Sequence, residues 1–484
     1  METNTRKLVE FIGSKWLFAA TTLLFIAQSS WLAATSRFPM AFDEAYHFGL
    51  VQFFSHRLNP IVTHQPSSSY KFGAIVQDPS FLYHYLLGFP YRLIVLFTKS
   101  LELQVIDLRL INVLLAVGTL LTLRKILQLM NISAALTNLL LLTFALTPMV
   151  VVLSAQINYD NLLILGTSLS VYAALLFIKR LGNKVFDTKV LLTLFCLCMF
   201  TSLVMYSFLP ILAAITAVVI WKIAQYRRPK TVNLMAQARK GFTRIHRAPK
   251  LLLLVASILG GLLFVRVYVV NVVEYHNPAP QCNQILTIQD CKQYYAWDSN
   301  YNLRQYHETH PKPNTMNILK YTSYWILLCT LDLFGAIMPL QGLSYVSPNF
   351  IPLIGIIGAV ALICTIANFK KMLQKNQSLR VVTFISFFYL LILWARNYHD
   401  YLQLGQPTAI DGRYFVPIVM YLYILLATGV HYTFGSRHVK PLAIKTGLAL
   451  VVLYSFVCYG GYNQYISNID PIYGHINEGN SYVL

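Results

Sequence analysis

Phe38-Pro39-Met40-Ala41-Phe42-Asp43-Glu44-Ala45-Tyr46-His47 follows an apolar run of spanning length, roughly Trp16 to Ala34, and places two adjacent carboxylates where a membrane helix would end. An acid at headgroup depth loses part of its hydration, and a bundle of apolar helices has no need of one. Two readings stand. The pair is a hydrated loop feature, or one carboxylate faces a cavity and serves acid, base or metal chemistry. What decides between them is what else the chain sets on the same side of the membrane.

Repeated apolar runs make this a polytopic, all-α membrane protein: 56% of its 484 residues are hydrophobic, 12% are charged, and the mean hydropathy is +0.55. The first run follows a basic start (Arg6, Lys7, Lys15) and is too long for a signal-peptide core, so it reads as a retained anchor. Lys and Arg collect in Arg124-Lys125, Lys179 to Lys189, Lys222 to Lys250, Lys370 to Arg380 and Arg437 to Lys445. By the positive-inside rule these five loops are cytoplasmic. The third holds nine basic residues and no acid, a composition that attracts anionic lipid headgroups. So distributed, the net charge of +20 does not indicate nucleic acid. Of the 18 acids, all but Glu2, Glu10 and Asp187 then fall on the outer side.

The same rule predicts about eleven spans, near 16–34, 108–126, 134–155, 161–178, 190–206, 207–222, 251–270, 350–368, 381–397, 414–431 and 443–460. The N-terminus is then cytoplasmic and the C-terminus outside. Counting 81–97 or 321–340 as spans would break the alternation. Both carry polar or charged residues (Arg92, His84, Asp332) and are expected to lie on the outer face as juxtamembrane helices. The chain divides into an N-terminal membrane module, 1–270, whose first outer loop is 35–107; a second outer loop, 271–349; and C-terminal helices with an outer tail, 350–484. Connections this long are usually functional. In the second loop Cys282 and Cys291 stand close together on the side where disulfides form, either bridged or free.

Two further clusters lie on the outer side. Ser154-Ala155-Gln156-Ile157-Asn158-Tyr159-Asp160-Asn161 interrupts apolar sequence at a helix junction. Turn formation and N-capping account for one of its polar residues, but there are more than a turn requires. Asp160 shares its face with Asp43 and Glu44, so carboxylates from separate loops can converge to share acid and base roles or to hold a divalent cation. Asp411-Gly412-Arg413-Tyr414-Phe415-Val416-Pro417 enters the tenth expected span. Arg413 is either a phosphate-binding guanidinium or an interface Arg beside an aromatic-belt Tyr414. Arg266, inside the seventh span, can add a second positive charge to the same cavity. Arg109 reads as an interface anchor.

Taken together and in order, these motifs resemble the GT-C glycosyltransferases. Phe42-Asp43-Glu44-Ala45-Tyr46-His47 looks like the first-loop acidic motif, and Gln77-Asp78-Pro79-Ser80-Phe81-Leu82-Tyr83-His84-Tyr85 resembles the segment after it, with Asp78 in place of the usual first Pro. Ser154 to Asn161 is similar to the second-loop motif. Gly412-Arg413-Tyr414-x-x-Pro417, with Leu333-Phe334-Gly335 and Pro339, resembles uncharacterised bacterial members of the superfamily. The resemblance implies a plasma-membrane enzyme that transfers a sugar from a polyprenyl-phosphate donor to a hydroxyl of a glycan, lipid or protein acceptor. It implies Asp43 as base, Glu44 as alternate or orienting partner, and Asp160 as assistant or cation ligand. Arg413 and Arg266 would meet the leaving phosphate, with His47, Asn158 and Tyr414 binding substrate; a divalent cation is possible. The competing class is a lipid-linked saccharide transporter or a non-catalytic membrane scaffold. A transporter would show charges within spans and internal repeats.

Overall fold

Helices account for all the regular secondary structure among the described residues of the computed structural model, which are 9–36, 38–40, 42–227, 233–310, 316–335 and 350–434, with Lys7 and Tyr454 as isolated positions. In chain order they are α1 (Lys15–Thr35), α2 (Glu44–Ser55), α3 (Leu82–Phe97), α4 (Leu101–Leu129), α5 (Ala134–Leu146), α6 (Pro148–Ser154), α7 (Asp160–Gly182), α8 (Thr188–Ser202) and α9 (Leu209–Arg227). There follow α10 (Leu234–Thr243), α11 (Arg247–Phe264), α12 (Val270–Tyr275), α13 (Ile288–Cys291), α14 (Tyr295–Thr309), α15 (Ile318–Gly335), α16 (Phe350–Lys375), α17 (Gln377–Leu404) and α18 (Val416–Thr433).

Eight helices among the described residues are long and apolar enough to span, or nine if α5 and α6 form one bent span, against the eleven expected. The differences have local causes. Pro148 opens α6 with no N–H to donate, and extended Thr147 before it breaks the run expected at 134–155 into two helices that meet at 65°. The region 190–206 yields only the 15-residue α8. Its neighbour α9 carries Pro210 within its first turn, where the missing N–H costs nothing. The expected span 443–460 lies outside the described residues. Helix α3 is a 16-residue apolar helix, shorter than a full span.

The first outer segment closes earlier than expected. Ser100 caps α4 by accepting the N–H of Leu103, so Asp107 sits inside a helix rather than in a loop and Arg109 lies well past the helix start. Helices α2 and α3 fold against each other through Gly88, where a Cβ would stand 3.1 Å from the backbone nitrogen of Ser55. Arg92 of α3 donates to the carbonyls of Ser55 and Arg57, satisfying groups left open where α2 ends.

The second outer segment docks on the first. A disulfide joins Cys282 to Cys291 with an S–S distance of 2.10 Å. Three residues on, the ring of Tyr294 stacks on Tyr46 at 5.6 Å and covers Gly73 so closely that a Cβ there would lie 2.9 Å from it.

The bundle has two unlike ends. Where α1 stops and α4, α7 and α18 begin, the loops bring acids, tyrosines and two arginines together. At the other end Lys179 donates to the carbonyl of Leu129 and Arg124 lies over the ring of Phe18.

Candidate active site

Phe42 and Asp43 both hold positive φ, 60° and 64°, in the left-handed region that non-glycine residues rarely enter. Such strain persists only where the surroundings impose it. Two hydrogen bonds restrain the segment: Asn158 donates to the carbonyl of Phe42 at 3.1 Å, while Glu44 accepts the N–H of Met40 at 2.6 Å. Asp43 precedes the first turn of α2 but caps none of its N–H groups. Its carboxylate, 69% exposed, instead faces Arg413 Nη2 at 3.8 Å.

Glu44 is placed very differently. It is fully buried and takes both prongs of Arg109, Nε to Oε1 at 2.8 Å and Nη2 to Oε2 at 2.7 Å, together with the N–H of Ile157 at 3.1 Å. Arg109 Nη1 donates to the carbonyls of Ala33 and Ser36. One ion pair thus ties the end of α1, the first loop, α4 and the 155–158 turn together. The interface position expected for Arg109 is wrong, because its carboxylate partner and carbonyl acceptors draw it fully inside. Glu44, expected as alternate base or orienting partner, is closed in by these groups. It orients the segment that carries Asp43.

Asp160 opens α7. Its backbone N–H donates to the side chain of Asn158 at 2.9 Å, and its own Oδ2 is buried without a hydrogen-bond partner among the described residues. Asn161 bonds Asn112 Oδ1 at 3.1 Å and the Leu153 carbonyl at 2.7 Å. Tyr83 donates to the same Asn112 oxygen at 2.8 Å. The polar residues in excess of a turn's needs therefore have distinct duties. Asn158 fixes Phe42 and Asp160, Asn161 locks the turn to α4, and Asp160 keeps a free oxygen.

Arg413 lies in the short turn Gly412–Phe415. Gly412 approaches α15 so closely that a Cβ would fall 2.3 Å from the backbone nitrogen of Leu333. That contact joins the Leu333-Phe334-Gly335 and Gly412-Arg413-Tyr414 segments. The Asp411 carboxylate accepts the N–H of Arg413 at 2.9 Å and pairs with its Nε at 3.2 Å, while Nη2 reaches Tyr414 Oη at 3.2 Å. The guanidinium lies 5.1 Å from the ring centres of Phe42 and Tyr414, and Nη1 is buried with no hydrogen-bond partner among the described residues. Burial drives the Asp411 carboxyl upward, opposed by the adjacent guanidinium.

Of the remaining expected residues, Arg266 lies in a π-turn between α11 and α12 and donates to Gln77 Oε1 at 3.2 Å. Among the described residues it forms no ion pair with Asp43, Asp160 or Asp411. His47 is buried; its Nδ1 meets His84 Nε2 at 2.9 Å and its ring lies 4.5 Å from Tyr159. Desolvation lowers the pKa of both rings, that of His84 to about 3. Asp78 accepts the N–H of Ser80 at 2.8 Å, and burial pushes its carboxyl up to about 6. Sequence reasoning assigned no role to His84 or Asp411. The first could have been found as a second His at the start of a helix, the second as an acid one residue before the Gly-Arg-Tyr run.

No family model and no curated protein matches the chain. Solved structures do. The Archaeoglobus fulgidus oligosaccharyltransferase in its apo form superposes with a TM-score of 0.50 at 11% identity, over 93% of this chain and 56% of that one. The chain shares the fold of the matched part of that enzyme. The same enzyme tethered to an acceptor peptide containing the NVT sequon gives a TM-score of 0.50 at 12% identity, over 93% and 55% of the two chains. This chain therefore spans little more than half the length of the enzymes it matches. Among its described residues no three His, Cys, Asp or Glu side chains gather as a metal site.

Proposed function

We propose that this protein is a membrane glycosyltransferase that moves a sugar from a polyprenyl-phosphate donor to an acceptor hydroxyl on the outer face of the plasma membrane. One observation carries the reading: beside the exposed, strained Asp43 stands the buried guanidinium of Arg413, with its Nη1 unengaged among the described residues. A carboxylate open to an incoming hydroxyl and a cation with spare donors are the two groups that such a transfer needs.

Asp43 takes the hydroxyl proton as the acceptor oxygen bonds to the anomeric carbon. The bond from that carbon to the phosphate oxygen breaks, and the phosphate leaves with the electron pair. Arg413 offers its planar fork to the charge that develops there. Asp411 and Tyr414 hold the guanidinium in place, and Tyr414 adds a wall for the sugar. Asp160 positions the acceptor through its free oxygen, Asn158 holds Asp43 and Asp160 in register, and Glu44 with Arg109 anchors the whole loop. His47, neutral and paired with His84, packs behind Tyr159. Arg266, on the Gln77 side, is placed to meet a more distant part of the donor.

Two of these carboxylates have oxygens to offer a divalent cation, because the buried Asp160 Oδ2 has no partner among the described residues and the Asp43 carboxylate is open. Asp43 and Asp160 would hold it, and it would add positive charge beside the leaving phosphate.

The acceptor is a glycan, lipid or protein. The three regions 1–270, 271–349 and 350–484 would then supply the base, a covering loop and the phosphate-binding turn. The test is deletion of the chain followed by mass spectrometry of lipid-linked sugars and surface glycans. An accumulated lipid-phosphate sugar with a missing glycan residue, restored by wild type but not by Asp43→Asn, is expected. Unchanged pools, or full rescue by Asp43→Asn, would overturn the proposal.

A further inference from the structure

At the end of the bundle opposite the carboxylates, α9 and α10 leave a groove of about 460 Å³ lined by Ile220, Ile223, Ala224, Arg227 and Leu234. That volume lies in the range of small-molecule sites, about 300–1,000 Å³. Of the five described residues that line it, four are apolar and the fifth is a guanidinium. Arg227 has no carboxylate partner among the described residues, and Asp187 is engaged by Arg180.

Helix α10 is built to lie at a membrane surface. At 100° per residue, Leu234, Met235, Ala238 and Phe242 share one face, Arg239 borders it and Lys240 takes the other. None of its residues is buried, and Met235 is 81% exposed. It is nevertheless fixed in place: Thr188 donates to the Ala238 carbonyl at 3.0 Å and Tyr226 to Gln237 Oε1 at 2.7 Å. Arg239, Lys240, Arg244 and Arg247 are exposed beside it. An amphipathic helix with apolar residues facing the acyl boundary and basic residues facing headgroups is an interfacial element.

We propose that this groove is a binding site for one anionic phospholipid of the adjacent leaflet, its phosphate on Arg227 and an acyl chain along Ile220, Ile223 and Leu234. Diffuse attraction of a basic loop to a charged leaflet needs neither a groove nor a fixed partner for the headgroup. A free phosphate ion would find one guanidinium among apolar walls. The lipid satisfies both halves of the site.

The full chain is purified from nanodiscs of phosphatidylcholine mixed with phosphatidylglycerol, and the lipids it retains are counted by native mass spectrometry. One phosphatidylglycerol is expected to stay bound in preference to phosphatidylcholine. Arg227→Gln should weaken retention roughly fivefold, the scale of one basic residue at a charged surface, while Arg227→Lys should keep most of it. Ala224→Trp fills the groove without changing charge and should displace the lipid. Diffuse attraction predicts no effect of Ala224→Trp, and that result, or equal retention of the two lipids, would overturn the site. Displacement by inorganic phosphate would assign the anion to Arg227 alone and overturn the lipid.

Discussion

Arg109 and Arg413 each hold carboxylates at the same end of the bundle, and they differ in what is left over. Arg109 is 1% exposed and Glu44 0%, and their carboxylate and guanidinium match in a two-pronged pair with carbonyls and N–H groups filling the remaining positions. Arg413 is 11% exposed, its pair with Asp43 is a loose 3.8 Å, and Nη1 is unfilled among the described residues. A satisfied buried pair fixes a shape. An unsatisfied one keeps capacity for something that arrives later. The neighbours Asp43 and Glu44 thus divide into an open acid and an anchoring one, the second straining the backbone that presents the first.

The sharpest break of this comparison is to leave one partner of the closed pair unmatched. Arg109→Met or Glu44→Leu alone leaves a buried uncompensated charge, which costs about 3–5 kcal/mol. Membrane abundance and Tm in detergent should fall severely for either, and activity with them. The double variant Glu44→Leu with Arg109→Met removes the charge problem and should regain part of the loss. If both single variants keep the wild-type Tm, the closed pair is not an anchor.

Removing the open acid should do the reverse. Asp43→Asn keeps the shape and removes the proposed base, so turnover should drop about 10²–10⁴-fold with Tm and abundance near wild type. A large fall in Tm would make Asp43 structural and erase the distinction between the two carboxylates.

This division marks what the sequence could and could not show. The all-helical membrane fold was legible because apolar runs and basic loops report directly on bilayer thickness and charge. The outer clusters were legible because polar residues interrupt apolar sequence. What was hidden is which carboxylate each arginine chooses. Arg109 lies 65 positions from Glu44, and nothing local distinguishes a guanidinium drawn into the interior from one that snorkels to the surface. The bend at Thr147-Pro148 was readable from the proline alone. The pairing of His47 with His84 depends on how α2 packs against α3, which no periodicity encodes.

Within the open cluster, the next effect comes from geometry at constant charge. Arg413→Lys keeps a cation but loses the planar fork, and Arg413→Ala loses both. If the guanidinium meets the phosphate as it leaves, turnover should order as wild type, then Lys, then Ala, with KM changing less than turnover. An arginine that only anchors the chain at the interface predicts small and equal losses, since Lys anchors as well. Membrane abundance measured on the same samples separates the two outcomes from failed insertion.

The smallest expected effect is on the pH dependence of stability, and it probes the packing behind the open site. His84 ionises at about 3 in the folded protein against 6.5 for the free side chain, because burial disfavours its charged form. Its contribution is therefore present in full above 6.5 and is lost as pH falls toward the folded value. His47 is depressed for the same first reason, with His84 and Arg413 adding to it, and acts in the same direction. Asp78 opposes them. Its folded value of about 6 lies above the ordinary 3.8, so its contribution is present below 3.8 and is lost as pH rises through about 6. Lowering the pH from 6.5 should therefore reduce Tm through the histidines while Asp78 offsets part of the fall. His84→Gln should flatten that acid limb at some cost to Tm at neutral pH, and Asp78→Asn should steepen it. Parallel Tm profiles for wild type and His84→Gln would show that the ring is not held neutral, and that the paired histidines do not form the dry wall behind Tyr159.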